Sequence, residues 1–183
     1  VGNGTKIENI YVLESADDAI EFFGGTVNVT NLLAVNPDDD MFDFTQGYCG
    51  TLKNCYGVWE SDYTSTEADP RGIEADGNMD GLYPDHLRQS DFKVENMTIV
   101  NNAANTADNV DRMQDVIKIR RGAKATITNA LVKGTGGAID LVDMKDSKGA
   151  GNIESSINIT STLSLTGLKQ NGELNTFVES ADN

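Results

Sequence analysis

Residues 17–31 read DDAIEFFGGTVNVTN, and the same order of features returns at 39–54 as DDMFDFTQGYCGTLKN and at 117–129 as IKIRRGAKATITN. Each stretch runs from an alternating apolar and charged segment through a glycine bend into a second alternating segment that meets an asparagine. Short alternating segments rich in Val, Ile, Thr and Phe and bounded by Gly, Asn and Asp are strand signals, and no window sustains a helical stripe.

Working outward, the asparagine segment recurs as KIENIYVL at 6–13, VNVTNLLAV at 27–35, LKNCYGV at 52–58, FKVENMTIV at 92–100 and ATITNALV at 125–132. Its asparagines are Asn9, Asn31, Asn54, Asn96 and Asn129, separated by 22, 23, 42 and 33 residues. INITSTLSL at 157–165 carries Ser161 in the same place. The period is one coil of about 22 residues, with insertions in some turns. Half a coil later come DDAIEF, DDMFDF, PRGIEA, QDVIKI and GGAIDL, with apolar centres at Ile20, Phe42, Ile73, Ile117 and Ile139. A unit this short cannot bury its apolar face alone, so coils must stack and pair parallel strands, about 4.8 Å apart. This predicts an all-β solenoid of about six or seven coils, with those five centres stacked inside and the asparagines stacked at one bend as an amide ladder.

The motifs DDAIEFFGGTVNVTN, DDMFDFTQGYCGTLKN and IKIRRGAKATITN resemble those of the pectate-lyase-type right-handed parallel β-helix, and more narrowly exported β-helix proteins of Gram-negative bacteria. The likeness covers residues 6–165. It implies a secreted or cell-surface location. It does not imply an activity, because this fold carries lyases, hydrolases, adhesins and phage proteins alike.

Composition narrows the partners. With 29 acidic and 14 basic side chains, the net charge of −15 repels nucleic acid phosphates and anionic membranes. No apolar run reaches the roughly 20 residues of a membrane span. The chain is expected to form one domain, 1–183, with polar residues 166–183 as a C-terminal segment or cap. It starts at Val1, inside the repeat, which suggests a part of a longer precursor whose missing segment, or a second copy, covers the open first coil. Cys49 and Cys55 either close a small disulfide loop or remain thiols.

The half-coil series places Glu21, Asp43, Glu74, Lys118 and Asp140 in one outward column, beside Asp18, Asp40, Arg71, Asp115 and Gly137. The lower parts read as exposed cross-strand ion ladders. The upper parts hold Asp18, Glu21, Asp40 and Asp43 with no basic residue between them, so either solvent screens them or a hard cation such as Ca²⁺ bridges them. Asp76, Asn78 and Asp80 have the D-x-N-x-D-G spacing of a calcium loop, with Asp85 nearby; the twelfth position is Leu87, so the bidentate Glu is missing and an Asp/Gly turn explains the spacing equally. His86 is the only histidine, and no nucleophile elbow or zinc spacing occurs.

Tyr48, Tyr56, Trp59, Tyr63 and Tyr83 cluster around insertions at 59–70 and 78–91, where rings either stack on sugars or cap the core, with Trp59, Tyr63 and Tyr83 the ligand-binding candidates. Resemblance to β-helix lyases implies Lys118, Arg120 and Arg121 as candidate bases beside a calcium-bound acidic glycan. Two functions therefore compete. One is a non-catalytic, calcium-stabilised module for surface attachment, assembly or glycan binding; the other is a calcium-dependent polysaccharide lyase or hydrolase.

Overall fold

The computed structural model describes residues 1–78, 88–103, 113–138, 140–145, 153–164, 167–170, 173–174 and 178–180. One long parallel sheet takes β1 (Lys6–Leu13), β3 (Asn28–Val35), β5 (Thr51–Trp59), β7 (Asp91–Asn101), β9 (Lys124–Lys133) and β12 (Ser156–Thr160) in that order. A second takes β2 (Glu21–Phe23), β4 (Phe42–Thr45), β6 (Ile73–Asp76), β8 (Asp115–Arg120), β11 (Asp140–Met144) and β16 (Val178–Ser180). The two sets alternate along the chain, so each circuit of the solenoid adds one strand to each sheet. This is a parallel β-helix with six rungs in the short-strand sheet. Among the described residues no helix is long and apolar enough to cross a membrane.

The long strands are bent, which divides their sheet into two legs. Asn9, Asn31, Asn54, Asn96 and Asn129 have φ between 56° and 60°, a left-handed conformation that asparagine tolerates better than most residues. Each later asparagine donates its side-chain amide to the carbonyl of the one before: Asn31 to Asn9 at 2.8 Å, Asn54 to Asn31 at 3.0 Å, Asn96 to Asn54 at 2.9 Å and Asn129 to Asn96 at 2.8 Å. Ser161 repeats the backbone conformation on the next rung, with φ 52°. The opposite bend, after β2, needs Gly24 and Gly25, with φ 71° and 88°. A Cβ on Gly24 would sit 2.7 Å from the Gln46 carbonyl oxygen of the next rung.

Inside, side chains stack by register. Phe42, Ile73, Ile117 and Val142 form one column, and Phe22, Phe44, Ala75 and Ile119 the next, all buried. Ile20 is half-buried against the same core. Phe22, Tyr48, Phe44 and Phe92 stack ring on ring at centroid separations of 4.0–5.5 Å. The Tyr48 hydroxyl donates to Val27 O at 2.7 Å, which satisfies the one polar atom this aromatic stack brings inside.

One expectation is corrected. The fifth rung is shifted by three residues: Val142 pairs with Ile117, Asp143 with Lys118 and Asp140 with Asp115. Asp140 therefore continues the Asp18 column, where Gly137 was expected, and Asp143 takes the place of Asp140. The stretch Asp140-Leu141-Val142-Asp143 repeats Asp115-Val116-Ile117-Lys118, a better match than the GGAIDL phase. Ile139 itself lies outside the described residues. In the C-terminal segment, further strands pair with the last rungs. β16 adds a strand to β11, while β14 (Gly167–Gln170) pairs parallel with β10 (Gly137–Ala138) and antiparallel with β15 (Glu173–Leu174).

Candidate functional site

Alternation on the short-strand sheet sends Glu21, Asp43, Glu74, Lys118 and Asp143 to the face away from the core, in register on five adjacent strands. One step earlier on each rung stand Asp18, Asp40, Arg71, Asp115 and Asp140. These columns are not the exposed ladders expected from sequence. Asp40, Arg71, Glu74, Asp115, Lys118, Asp140 and Asp143 are all buried. In the lower rungs each basic side chain, Arg71, Lys118, Arg120 and Arg121, is held in an ion pair.

Arg71 bonds Glu74, reaches Asp69 at 3.0 Å and Asp115 at 3.4 Å. Lys118 pairs with Asp143. Arg120 binds Glu74 and grips Asp76 through two bonds, at 2.9 and 3.2 Å, and Arg121 adds a third to Asp76 at 3.1 Å. Burial raises the Glu74 and Asp115 carboxyls above their usual range; facing arginines pull both back.

In the upper rungs neither Asp18 nor Asp43 makes an ion pair among the described residues. Asp18, Glu21 and Asp43 converge so that one oxygen from each lies within 4.8 Å of the others, and Asp17, Asp18 and Asp39 do the same. Asp18 Oδ1 accepts the Asp40 backbone N–H at 2.9 Å. Asp39, Asp40 and Asp43 each keep a buried Oδ1 that accepts no hydrogen bond. Burial, then neighbouring carboxylates, pushes Asp18 and Asp39 up to about 7, and raises Asp40 and Asp43 well above the usual carboxylate range. Arg71 partly opposes the rise at Asp39 and Asp40. Of the expected acidic quartet, Asp18, Glu21 and Asp43 come together, and Asp40 is not in that group.

At the calcium-loop motif, the Asp76 carboxylate is held by Arg120 and Arg121. Asn78 donates to Gln89 at 3.1 Å and leaves its Oδ1 buried. Asp80, Asp85 and Tyr83 lie outside the described residues, as does His86. Trp59 is not a sugar platform: it is 0% exposed, points inward from β5 and donates to Pro37 O at 3.0 Å. Tyr63 is half-buried against Trp59, and its hydroxyl donates to Asp38 at 3.2 Å, pinning the insertion to the coil. Thr66 bonds the same carboxylate; against the cost of burial, these donors hold Asp38 below its usual range. Cys49 and Cys55 are free thiols. Burial in the core pushes Cys55 up to about 12.

The exposed aromatic surface lies elsewhere. Tyr11, Leu33 and Tyr56 are register partners on β1, β3 and β5, and are 60%, 38% and 39% exposed. Leu13, Val35 and Val58 run alongside, with Leu13 exposed and the valines half-buried. The signal was the phase: each of the first three stands two residues after a ladder asparagine.

No curated protein and no solved structure matches the chain. A family model does, the pectate-lyase-like beta helix domain, over residues 1–182. Repeated rungs, the asparagine ladder and this match over nearly the whole length agree: the chain belongs to the pectate-lyase-like β-helix domain family.

Proposed function

We propose that this chain is a non-catalytic β-helix module of an exported, surface-associated protein, and that it holds an extended, uncharged glycan on the outer face of the second leg of its long strands. The observation that carries this reading is the column Tyr11, Leu33, Tyr56. Three adjacent strands present two tyrosine rings and an aliphatic side chain on one flat surface, with Leu13 extending it. Sugar C–H faces stack on such rings while the phenol hydroxyls stay wet. A net charge of −15 disfavours an acidic chain, and the column's own side chains carry no charge with which to pair an ionic one. Location outside the cell is supported by the resemblance to exported β-helix proteins.

The lyase reading is weaker, because each candidate base is already engaged: Lys118 by Asp143, Arg120 by Glu74 and Asp76, Arg121 by Asp76. A lysine or arginine held by a buried carboxylate is poorly placed to take a substrate proton. Retention on insoluble neutral polysaccharides tests the proposal. Each of Tyr11→Ala and Tyr56→Ala should weaken binding by about twofold to tenfold, the equivalent of one lost ring contact. Unchanged retention in both variants refutes the face, and release of unsaturated uronate products from polygalacturonate would favour the lyase.

A further inference from the structure

We propose that Lys118 and Asp143 condense, once the chain has folded, into an isopeptide bond that ties the fourth and fifth rungs of the short-strand sheet together covalently. This does not depend on the glycan reading, since the pair belongs to the short-strand sheet and the tyrosine column to the other.

Three observations lead to it. The first is contact: Lys118 and Asp143 are register partners on β8 and β11, both are buried, and Lys118 Nζ lies 2.5 Å from Asp143 Oδ2. An amine and a carboxyl group held together by a sheet meet at an effective concentration far above any reached in solution. The second is the identity of the base. The neighbouring ion pairs use Arg71, Arg120 and Arg121, and a guanidinium does not give up its proton in proteins. Lys118 is the one buried lysine among the described residues, and a lysine that loses its proton is a nucleophile. The pairs Lys6–Glu8 and Lys53–Glu95 stand in solvent, where water competes.

The third observation is the setting of the Asp143 carboxyl. Its Oδ1 accepts the Lys145 backbone N–H at 2.7 Å, while Oδ2 faces the amine. The backbone donor is placed to hold the negative charge of a tetrahedral intermediate, and Oδ2 is left to depart. Asp115, buried three residues before Lys118, serves as proton relay. Burial, then the charge of Asp143, raises its carboxyl above the usual range; Arg71, at 3.4 Å, and Lys118 oppose the rise.

The step balances within the pair. A proton leaves the Lys118 ammonium for Asp143 Oδ2, the freed nitrogen lone pair bonds to Asp143 Cγ, and the carbonyl π pair moves onto Oδ1. Asp115 takes a second proton from the nitrogen and delivers it to Oδ2. The π pair returns, the Cγ–Oδ2 bond breaks, and Oδ2 leaves as water. One ammonium and one carboxylate become one amide and one water, so two charges whose burial is costly disappear together. Freshly folded protein holds the ion pair, and the amide accumulates from it. The amide joins residues 25 apart and restricts the unfolded chain as a disulfide does.

The purified chain is to be sampled over days at neutral pH by intact-mass spectrometry, then digested with trypsin and its peptides sequenced. Folded wild type should fall below the mass of its sequence by one water, and the digest should hold a branched peptide that joins Lys118 to Asp143 and is uncut after Lys118. Lys118→Arg keeps the charge pair without the nucleophile and should keep the mass of its sequence. Asp115→Asn should lose water more slowly, by about tenfold or more, in protein of unchanged circular dichroism, and Asp115→Glu should restore much of the rate. Should Lys118→Arg fail to fold, the branched peptide of the wild type decides alone. A folded wild type of unchanged mass, or a water loss that maps to a succinimide at an aspartate and survives in Lys118→Arg, overturns the proposal. Equal rates in wild type and Asp115→Asn refute the relay.

Discussion

Replacing Asn54 with alanine perturbs the ladder at its middle rung and separates its two contributions. Asn54 donates to Asn31 at 3.0 Å and accepts from Asn96 at 2.9 Å, with φ 56°. Each lost hydrogen bond contributes about 0.5 kcal/mol, the low end of the usual range, because the ladder faces solvent. Alanine in the left-handed region costs about 1–2 kcal/mol more, since its Cβ crowds the following carbonyl. Asn54→Ala should therefore destabilise by about 2–3 kcal/mol, and Asn54→Gly, which removes the same bonds without the Cβ clash, by about 1–2 kcal/mol. Asn9→Ala, with one ladder bond to lose, should cost about 0.5 kcal/mol less than Asn54→Ala. Urea unfolding followed by far-ultraviolet circular dichroism and by the fluorescence of buried Trp59 measures all three; coincident curves license the free energies. Glycine as damaging as alanine would refute the strain argument, and an alanine variant within about 0.5 kcal/mol of wild type would refute the ladder as a source of stability.

Phe42→Ala should cost about 3–5 kcal/mol, because Phe42 is fully buried between rungs; a loss below about 1 kcal/mol would remove it from the core. Lys118→Met, which strands the buried Asp143 carboxylate, should cost about 3–5 kcal/mol, and adding Asp143→Leu should recover most of it; a double variant as unstable as the single argues against the pair. The protein should become less stable as pH rises from about 4 to 7. Asp18 and Asp39 are raised from 3.8 to about 7 by folding, so in that window the folded state keeps protons that the unfolded chain has shed. Thermal melting should give a higher Tm near pH 5 than near pH 8; a Tm that rises with pH contradicts the shifted carboxyls.

Much of the architecture was legible because a β-helix writes its coil into the chain. The 22-residue spacing from Asn9 to Asn31 and the alternation around Phe42 identify strand, bend and inward face from residue type alone. The slip at the fifth rung shows where that reading weakens. GGAID and DLVD both alternate, bends absorb extra residues at little cost, and only the backbone pairing of Val142 with Ile117 decides between them. Burial of the charged columns was not legible either. Alternation says that Glu74 and Lys118 point away from the core, but it does not say whether that outer face meets solvent, and there both are buried. Trp59 misled for a different reason: its place next to an insertion suggested exposure, while its phase after the Asn54 bend, shared with Cys55 and Gly57, turned it inward.

The asparagine ladder also has a direction. Every amide donates toward the preceding rung, from Asn129 through Asn96, Asn54 and Asn31 to Asn9, so the dipoles add rather than cancel. One end of the row presents the amide hydrogens of Asn9, and the other leads to the Ser161 hydroxyl. Such a row has a head and a tail. A rung placed before Asn9 continues the row if it offers an acceptor, and a rung after Asn129 continues it if it offers a donor. Copies of this coil joined end to end would therefore keep the row unbroken only when all point the same way, and an array built from them would be polar along its length.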